Sequence, residues 1–194
     1  LKDMGMNKRD HLLKIMNTKT ISKQWLKRYN DYPDDFDMRI LFNQLNEIQC
    51  EHSDKMIDIL PETKECISYL GFNYIKTGCT TDFNKENMNI IKDKLEKNNI
   101  RLDSYISSEC VNKPRPHPFM IQRHMSRFGI NDPQQVMKID DTVVGIEEGK
   151  NGGCVTVGVA RWSINMNILN INDAYGFGIH EIQDKLKESR TILK

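Results

Sequence analysis

The chain has 194 residues, enough for one core plus a small appendage. Its 28 basic and 27 acidic side chains leave a net charge of +1, so no strong field directs it to nucleic acid or to a membrane surface. No apolar run approaches the roughly 18 residues of a membrane span, and the five scattered cysteines (Cys50, Cys66, Cys79, Cys110, Cys154), with no CxxC pair, point to reduced thiols in a cytoplasmic protein rather than to disulfides or zinc.

From Lys8 to about Leu60 the pattern is helical. Leu12, Leu13, Ile15 and Met16 form one apolar stripe, Ile21, Trp25, Leu26 and Tyr29 a second, and Ile40, Leu41, Leu45 and Ile48 a third that runs on to Ile59. Pro33, between Asp31 and Asp34, separates the second from the third. Residues 1–60 therefore read as a small all-helical domain.

From Pro61 the character changes. A helix is predicted over Glu62 to Leu70 with Gly71 as its stop, then a strand from Tyr74 to Cys79. A helix from Asn84 to Asn98 follows, with Asn84 as N-cap, then a short strand from Ser104 to Ser107. Next come a helix from Pro116 to Phe128 stopped by Gly129, a strand from Val136 to Ile139, a helix from Val143 to Asn151 and a strand from Val155 to Val159. The tail, Asp173 to Leu186, ends in an amphipathic helix. Alternating strands and helices predict an α/β fold for residues 61–194: a doubly wound parallel, Rossmann-like core with the helical segment as a cap over the carboxyl edge of its sheet.

Three strand-end loops converge in such a topology. Gly78-Cys-Thr-Thr-Asp82 offers the Thr80 and Thr81 hydroxyls and amides at a helix start, an arrangement that serves either as an anion site or as a plain capped turn. Lys113-Pro-Arg-Pro-His-Pro118 is stiffened by three prolines and presents Arg115, whose fork suits a phosphate or phosphonate. Asp140-Asp141-Thr142 ends an apolar run in two carboxylates, the hard oxygen ligands that Mg²⁺ prefers. Hydroxyl, cation and carboxylate in this chain order form a stronger signal than any one of them.

The combination resembles the haloacid dehalogenase superfamily, and within it the phosphonoacetaldehyde hydrolases (phosphonatases). The resemblance rests on Met4-Gly5-x-x-Lys8-x-Asp10-His11, Gly78-x-Thr80-Thr81, Arg115-Pro116-x-Pro118 and Lys138-x-Asp140-Asp141-Thr142-x-x-Gly145-Ile146-x-Glu148-Gly149. It implies Mg²⁺-dependent hydrolysis of the C–P bond of a small-molecule phosphonate, with Lys8 forming a Schiff base to the aldehyde. It also implies His11 as an acid–base neighbour, Met4 and Gly5 shaping the cap loop, and Thr81 or Thr80 with Arg115 on the phosphonate oxygens. Asp141 would be the favoured Mg²⁺ ligand, with Asp140 beside it. A homodimer through the cap helices is implied too, for which Trp25, Tyr29 and Phe42 are available, although the same residues suit the cap's own core. The family's first motif, an apolar strand ending in a nucleophilic Asp, has no counterpart ahead of Lys8. The expectation is that this strand lies upstream of the chain. The same strand-end residues would equally serve a phosphate-ester phosphatase of the superfamily, and a chain without its nucleophile would be catalytically silent.

Overall fold

A computed structural model describes residues 7–56, 58–168 and 171–194. Met4 and Gly5, expected to shape the cap loop, lie outside them.

Three helices open the described chain: α1 (Lys8–Met16), α2 (Lys19–Tyr29) and α3 (Asp35–Met56). Asn7 caps α1, its side-chain oxygen accepting from the Arg9 amide at 3.0 Å. Asp34 does the same for α3, accepting from the amides of Phe36 at 2.8 Å and Asp37 at 2.9 Å. The break at Pro33 falls where the sequence places it. Helix α1 packs on α2 and α3, and α3 rests on a helix of the strand-bearing half.

That half runs α4 (Thr63–Phe72), β1 (Gly78–Thr81), α5 (Lys85–Lys97), β2 (Ser104–Ser107), α6 (Phe119–Phe128), β3 (Met137–Asp140), α7 (Val143–Asn151), β4 (Val155–Gly158), α8 (Ile171–Gly176) and α9 (Ile179–Ile192). The α/β class expected from the alternation is what forms, and both strand pairs among the described residues are parallel. The sheet, however, is divided. β1 pairs with β2 in register Thr80 to Ile106, and β3 pairs with β4 in register Ile139 to Val157. Among the described residues no ladder joins β1 to β3. Side chains span the interval instead, beginning with Lys138 Nζ, which donates to Thr80 Oγ1 at 2.6 Å.

The core is small. Ile106 of β2 and Met120 of α6 are fully buried, with Ile100 and Ile121 beside them, and Ile146 of α7 closes on β3 and β4. One strand departs from the expected apolar interior. Met137 and Ile139 of β3 are 57% and 54% exposed, whereas Lys138 between them is 8% exposed. Strand alternation puts Lys138 and Asp140 on one side, and that side faces the polar cluster described below.

Several boundaries differ from the sequence reading. Helix α4 passes through Gly71, and the left-handed turn after it is taken by Tyr74 at φ 58°. The first strand starts at Gly78 rather than Tyr74: Tyr74 takes the turn, and the Lys76 ammonium and the Thr77 amide bond the Asp103 carboxylate at 2.8 and 2.9 Å. Helix α6 starts at Phe119 rather than Pro116, since residues preceding a proline are kept from the α region. The tail is two helices, interrupted around Gly176 and Gly178.

Candidate active site

The strand-end cluster is organised by Arg115, whose side chain is only 9% exposed. Its Nε donates to Glu148 Oε2 at 3.0 Å and its Nη1 to Asp82 Oδ2 at 3.3 Å. Its Nη2 donates to Thr80 Oγ1 at 2.7 Å and to the Thr80 carbonyl at 2.9 Å, and lies 3.3 Å from Asp140 Oδ2. A second cation stands beside it: Lys138 Nζ is 3.1 Å from Asp140 and 3.0 Å from Glu148.

Local sequence explains this convergence. Thr80 sits one residue from the end of β1, and the proline-flanked 113–118 loop carries Arg115 across to it. Glu148 arrives from α7, where Gly145, Glu148 and Gly149 share one face. The glycines let that face touch the strand. A Cβ on Gly145 would lie 2.0 Å from Asp140 Cγ, and one on Gly149 would lie 2.8 Å from Lys138 Cβ.

Electrostatics sort the carboxylates. Burial pushes Asp82 up to about 6, against the opposing pull of Arg115. Burial also acts on Asp140, but Arg115, Lys138 and the Thr142 hydroxyl outweigh it and hold this carboxyl below its ordinary value. Asp141 is raised, by burial and then by the charge of Asp140. Three acidic side chains crowd two cations here, and Asp82 Oδ1 and Glu148 Oε1 are buried oxygens with no hydrogen-bond partner among the described residues. Asp140 is already engaged by Arg115, Lys138 and Thr142, which leaves Asp141, hydrogen-bonded by the Ile164 backbone, as the strand-end carboxylate with no cation pair among the described residues; one such carboxylate fits a hard divalent cation. Among the described residues no three acidic, histidine or cysteine side chains converge on one point. Mg²⁺ typically takes one or two protein carboxylates and completes its shell with water and substrate oxygens.

The predicted residues are placed as follows. Thr80 and Arg115 are in direct contact, and Asp140 joins them. Thr81 turns its hydroxyl to the Phe83 amide at 3.2 Å, away from Arg115. Lys8 opens α1 and reaches the same region, its Nζ 5.4 Å from the centre of the Phe83 ring. His11 follows one turn later on the same helix face. Lys8, Asp82, Asn84 and Ser108 line a cavity of about 80 Å³. A larger one of about 450 Å³ opens between Asp10 of α1 and the 113–118 loop, with Arg115, His117, Val144 and Glu147 on its wall. Lys138 and Glu148 belong to the motif that carries the resemblance and Asp82 ends the first strand-end loop, but the sequence assigned none of them a role. The i, i+3, i+4 set Gly145, Glu148, Gly149 and the alternation of Lys138 with Asp140 carried the signal for two of them.

Among the described residues no helix is long and apolar enough to cross a membrane. A phosphonoacetaldehyde hydrolase from Latilactobacillus sakei is 30% identical over 161 residues, covering 83% of this chain and 61% of that protein. One from Hahella chejuensis is 30% identical over 156 residues, covering 80% and 53%. The chain thus spans between about half and three fifths of the length of these curated relatives. The crystal structure of a phosphonoacetaldehyde hydrolase-like protein from Oleispira antarctica superposes with a TM-score of 0.94 at 23% identity, over 99% of this chain and 69% of that one. A β-phosphoglucomutase from Clostridium difficile gives 0.61 at 20% identity, over 97% and 81%. Both likenesses concern the fold. The profile of haloacid dehalogenase-like hydrolases matches residues 2–159, a stretch that takes in Lys8, Thr80, Arg115, Asp140 and Glu148, and the chain belongs to that family.

Proposed function

We propose that this hydrolase cleaves the C–P bond of phosphonoacetaldehyde, giving acetaldehyde and phosphate. The observation that carries the proposal is the approach of a helix-start lysine to the Arg115 cluster: Lys8 stands over Phe83, three residues after Thr80, and lines one cavity with Asp82, a partner of Arg115. Relatives named phosphonoacetaldehyde hydrolase support the same reading.

In this scheme the Lys8 amine condenses with the aldehyde, and the resulting protonated imine draws electrons from the C–P bond as it breaks. His11, one turn along α1, exchanges protons nearby. Arg115 and the Thr80 hydroxyl orient the phosphonate oxygens, while Thr81 shapes the turn through the Phe83 amide. Asp141, with Asp140 behind it, would hold Mg²⁺, which when bound offsets charge on the transferring phosphoryl group. The phosphoryl acceptor is a carboxylate on a strand N-terminal to α1, seated between β1 and β3. Support for that strand comes from the facing edges of β1 and β3, which carry no ladder partner among the described residues. A strand filling this interval would give the amides and carbonyls of those edges ladder partners.

A phosphate-ester phosphatase is the second reading, favoured by the completeness of the Thr80–Arg115–Glu148 cluster without Lys8. Lys8→Arg separates the two. Acetaldehyde release should be abolished while binding of a non-hydrolysable phosphonate persists. Retained turnover would remove the Schiff-base role and leave the ester phosphatase.

A further inference from the structure

Asp82 has no role in the scheme above, yet it lies between its two halves. Its Oδ2 pairs with Arg115 Nη1 at 3.3 Å. Its other oxygen, Oδ1, is buried and has no hydrogen-bond partner among the described residues. Its side chain is 7% exposed. With Lys8 it lines the cavity of about 80 Å³, a volume well above the ~30 Å³ that one water takes in the liquid. The positive charge of Lys8 reaches it, acting after burial, Arg115 and Glu148 in setting its protonation. A buried carboxylate with one tethered and one spare oxygen, facing a lysine across a small cavity, is arranged to exchange a proton with that lysine.

Resting on the Schiff-base reading, we infer that Asp82 is the proton partner of Lys8 in imine formation. The Lys8 ammonium passes a proton to Asp82, directly or through one water in the cavity. The neutral amine then attacks the aldehyde carbon: a C–N bond forms, the carbonyl π bond opens, and a proton moves from nitrogen to oxygen to give the carbinolamine. Asp82 returns its proton to the carbinolamine hydroxyl, which leaves as water. The products are the protonated imine, one water and an Asp82 carboxylate restored to its starting state. Arg115 holds Oδ2 in place, so that Oδ1 is the atom that cycles. The raised affinity of Asp82 for protons, set first by burial, brings it closer to an amine than an ordinary carboxyl, which favours transfer in both directions.

The experiment uses acetaldehyde, which carries no phosphonate for Arg115 to hold, together with cyanoborohydride, whose hydride reduces the imine to N-ethyl-lysine. Adduct at Lys8 is followed by peptide mass mapping in the wild-type chain, Asp82→Asn and Asp82→Glu, each first shown to melt cooperatively. Asp82→Asn should slow adduct formation at Lys8 by about 100-fold, the usual scale of a lost acid–base group, and Asp82→Glu should recover part of it. The ratio of wild-type to Asp82→Asn rates should shrink as pH falls through about 6 and the carboxylate takes up its proton. Equal rates, or a ratio that does not change with pH, would reduce Asp82 to a structural partner of Arg115 and overturn the inference. A wild-type chain that gains no adduct at Lys8 would overturn the Schiff-base reading along with it.

Discussion

Glu148 Oε2 accepts from Arg115 Nε at 3.0 Å, and the Glu148 side chain has no solvent exposure at all. A fully buried carboxylate is tolerated only where cations and donors surround it, and Lys138 Nζ at 3.0 Å completes that environment. The pair fixes the guanidinium plane and so decides which donors are left for an incoming anion.

Removing Glu148 should therefore cost far more than a surface change. Glu148→Ala leaves Arg115 and Lys138 buried with one fewer counter-charge, and breaking a buried pair from one side costs about 3–5 kcal/mol. Urea unfolding of the variant checks this. A loss under about 1 kcal/mol would mean that the two cations find water or other partners without difficulty.

Glycines should divide into two kinds. Gly145→Ala drives a methyl to within 2.0 Å of Asp140 Cγ, so helix α7 has to move off β3. Overpacking of this sort costs about 1–3 kcal/mol and should lower the melting temperature. Gly71→Ala, inside α4 with nothing within 4 Å of the added carbon, should be neutral or stabilising by up to about 1 kcal/mol. Equal effects at both positions would contradict the close contact between α7 and Asp140.

The pH dependence of stability carries the signature of Asp82. Its carboxyl is raised from 3.8 to about 6, so the folded state binds this proton more tightly than the unfolded one. That contribution is fully present below 3.8 and is lost as pH rises through about 6. Asp82→Asn carries no charge at either end, so its stability relative to wild type should improve between about pH 4 and pH 7, by up to ~3 kcal/mol. Asp140 runs the other way: held below its ordinary value by partners that outweigh its burial, it stabilises at neutral pH and loses that contribution in acid. Denaturant titrations at several pH values read both trends. A gap for Asp82→Asn that narrows toward neutrality would contradict the burial-raised carboxyl.

Much of the fold was legible because its signals are local. Asn84 caps α5 by accepting from the Asn87 amide at 2.8 Å, and Gly129 ends α6 at φ 68°, both at the positions their residue types mark. The hydroxyl, guanidinium and carboxylate loops were legible too, as short motifs in a telling order. What escaped depends on contacts distant in sequence. The Asp103 carboxylate takes the Thr77 amide from 26 residues away, just ahead of β1. Lys138 is buried because Thr80, 58 residues earlier, and Glu148 receive it. Asp82 read as a residue near the start of α5, and only the reach of Arg115 from the proline loop gives it another partner. The divided sheet has the same origin: two βα units can be recognised singly, while the interval between them is a property of their assembly.

The measurement that tests the central claim most directly is mass mapping of Lys8 after incubation with phosphonoacetaldehyde and cyanoborohydride. The expected result is a reduced adduct on the peptide carrying Lys8, absent from Lys8→Arg, with a phosphonoethyl mass where the C–P bond is intact and an ethyl mass where it has been cleaved. Phosphate release from ester substrates with Lys8 unmodified would contradict the Schiff-base chemistry and assign the site to ordinary phosphate-ester hydrolysis.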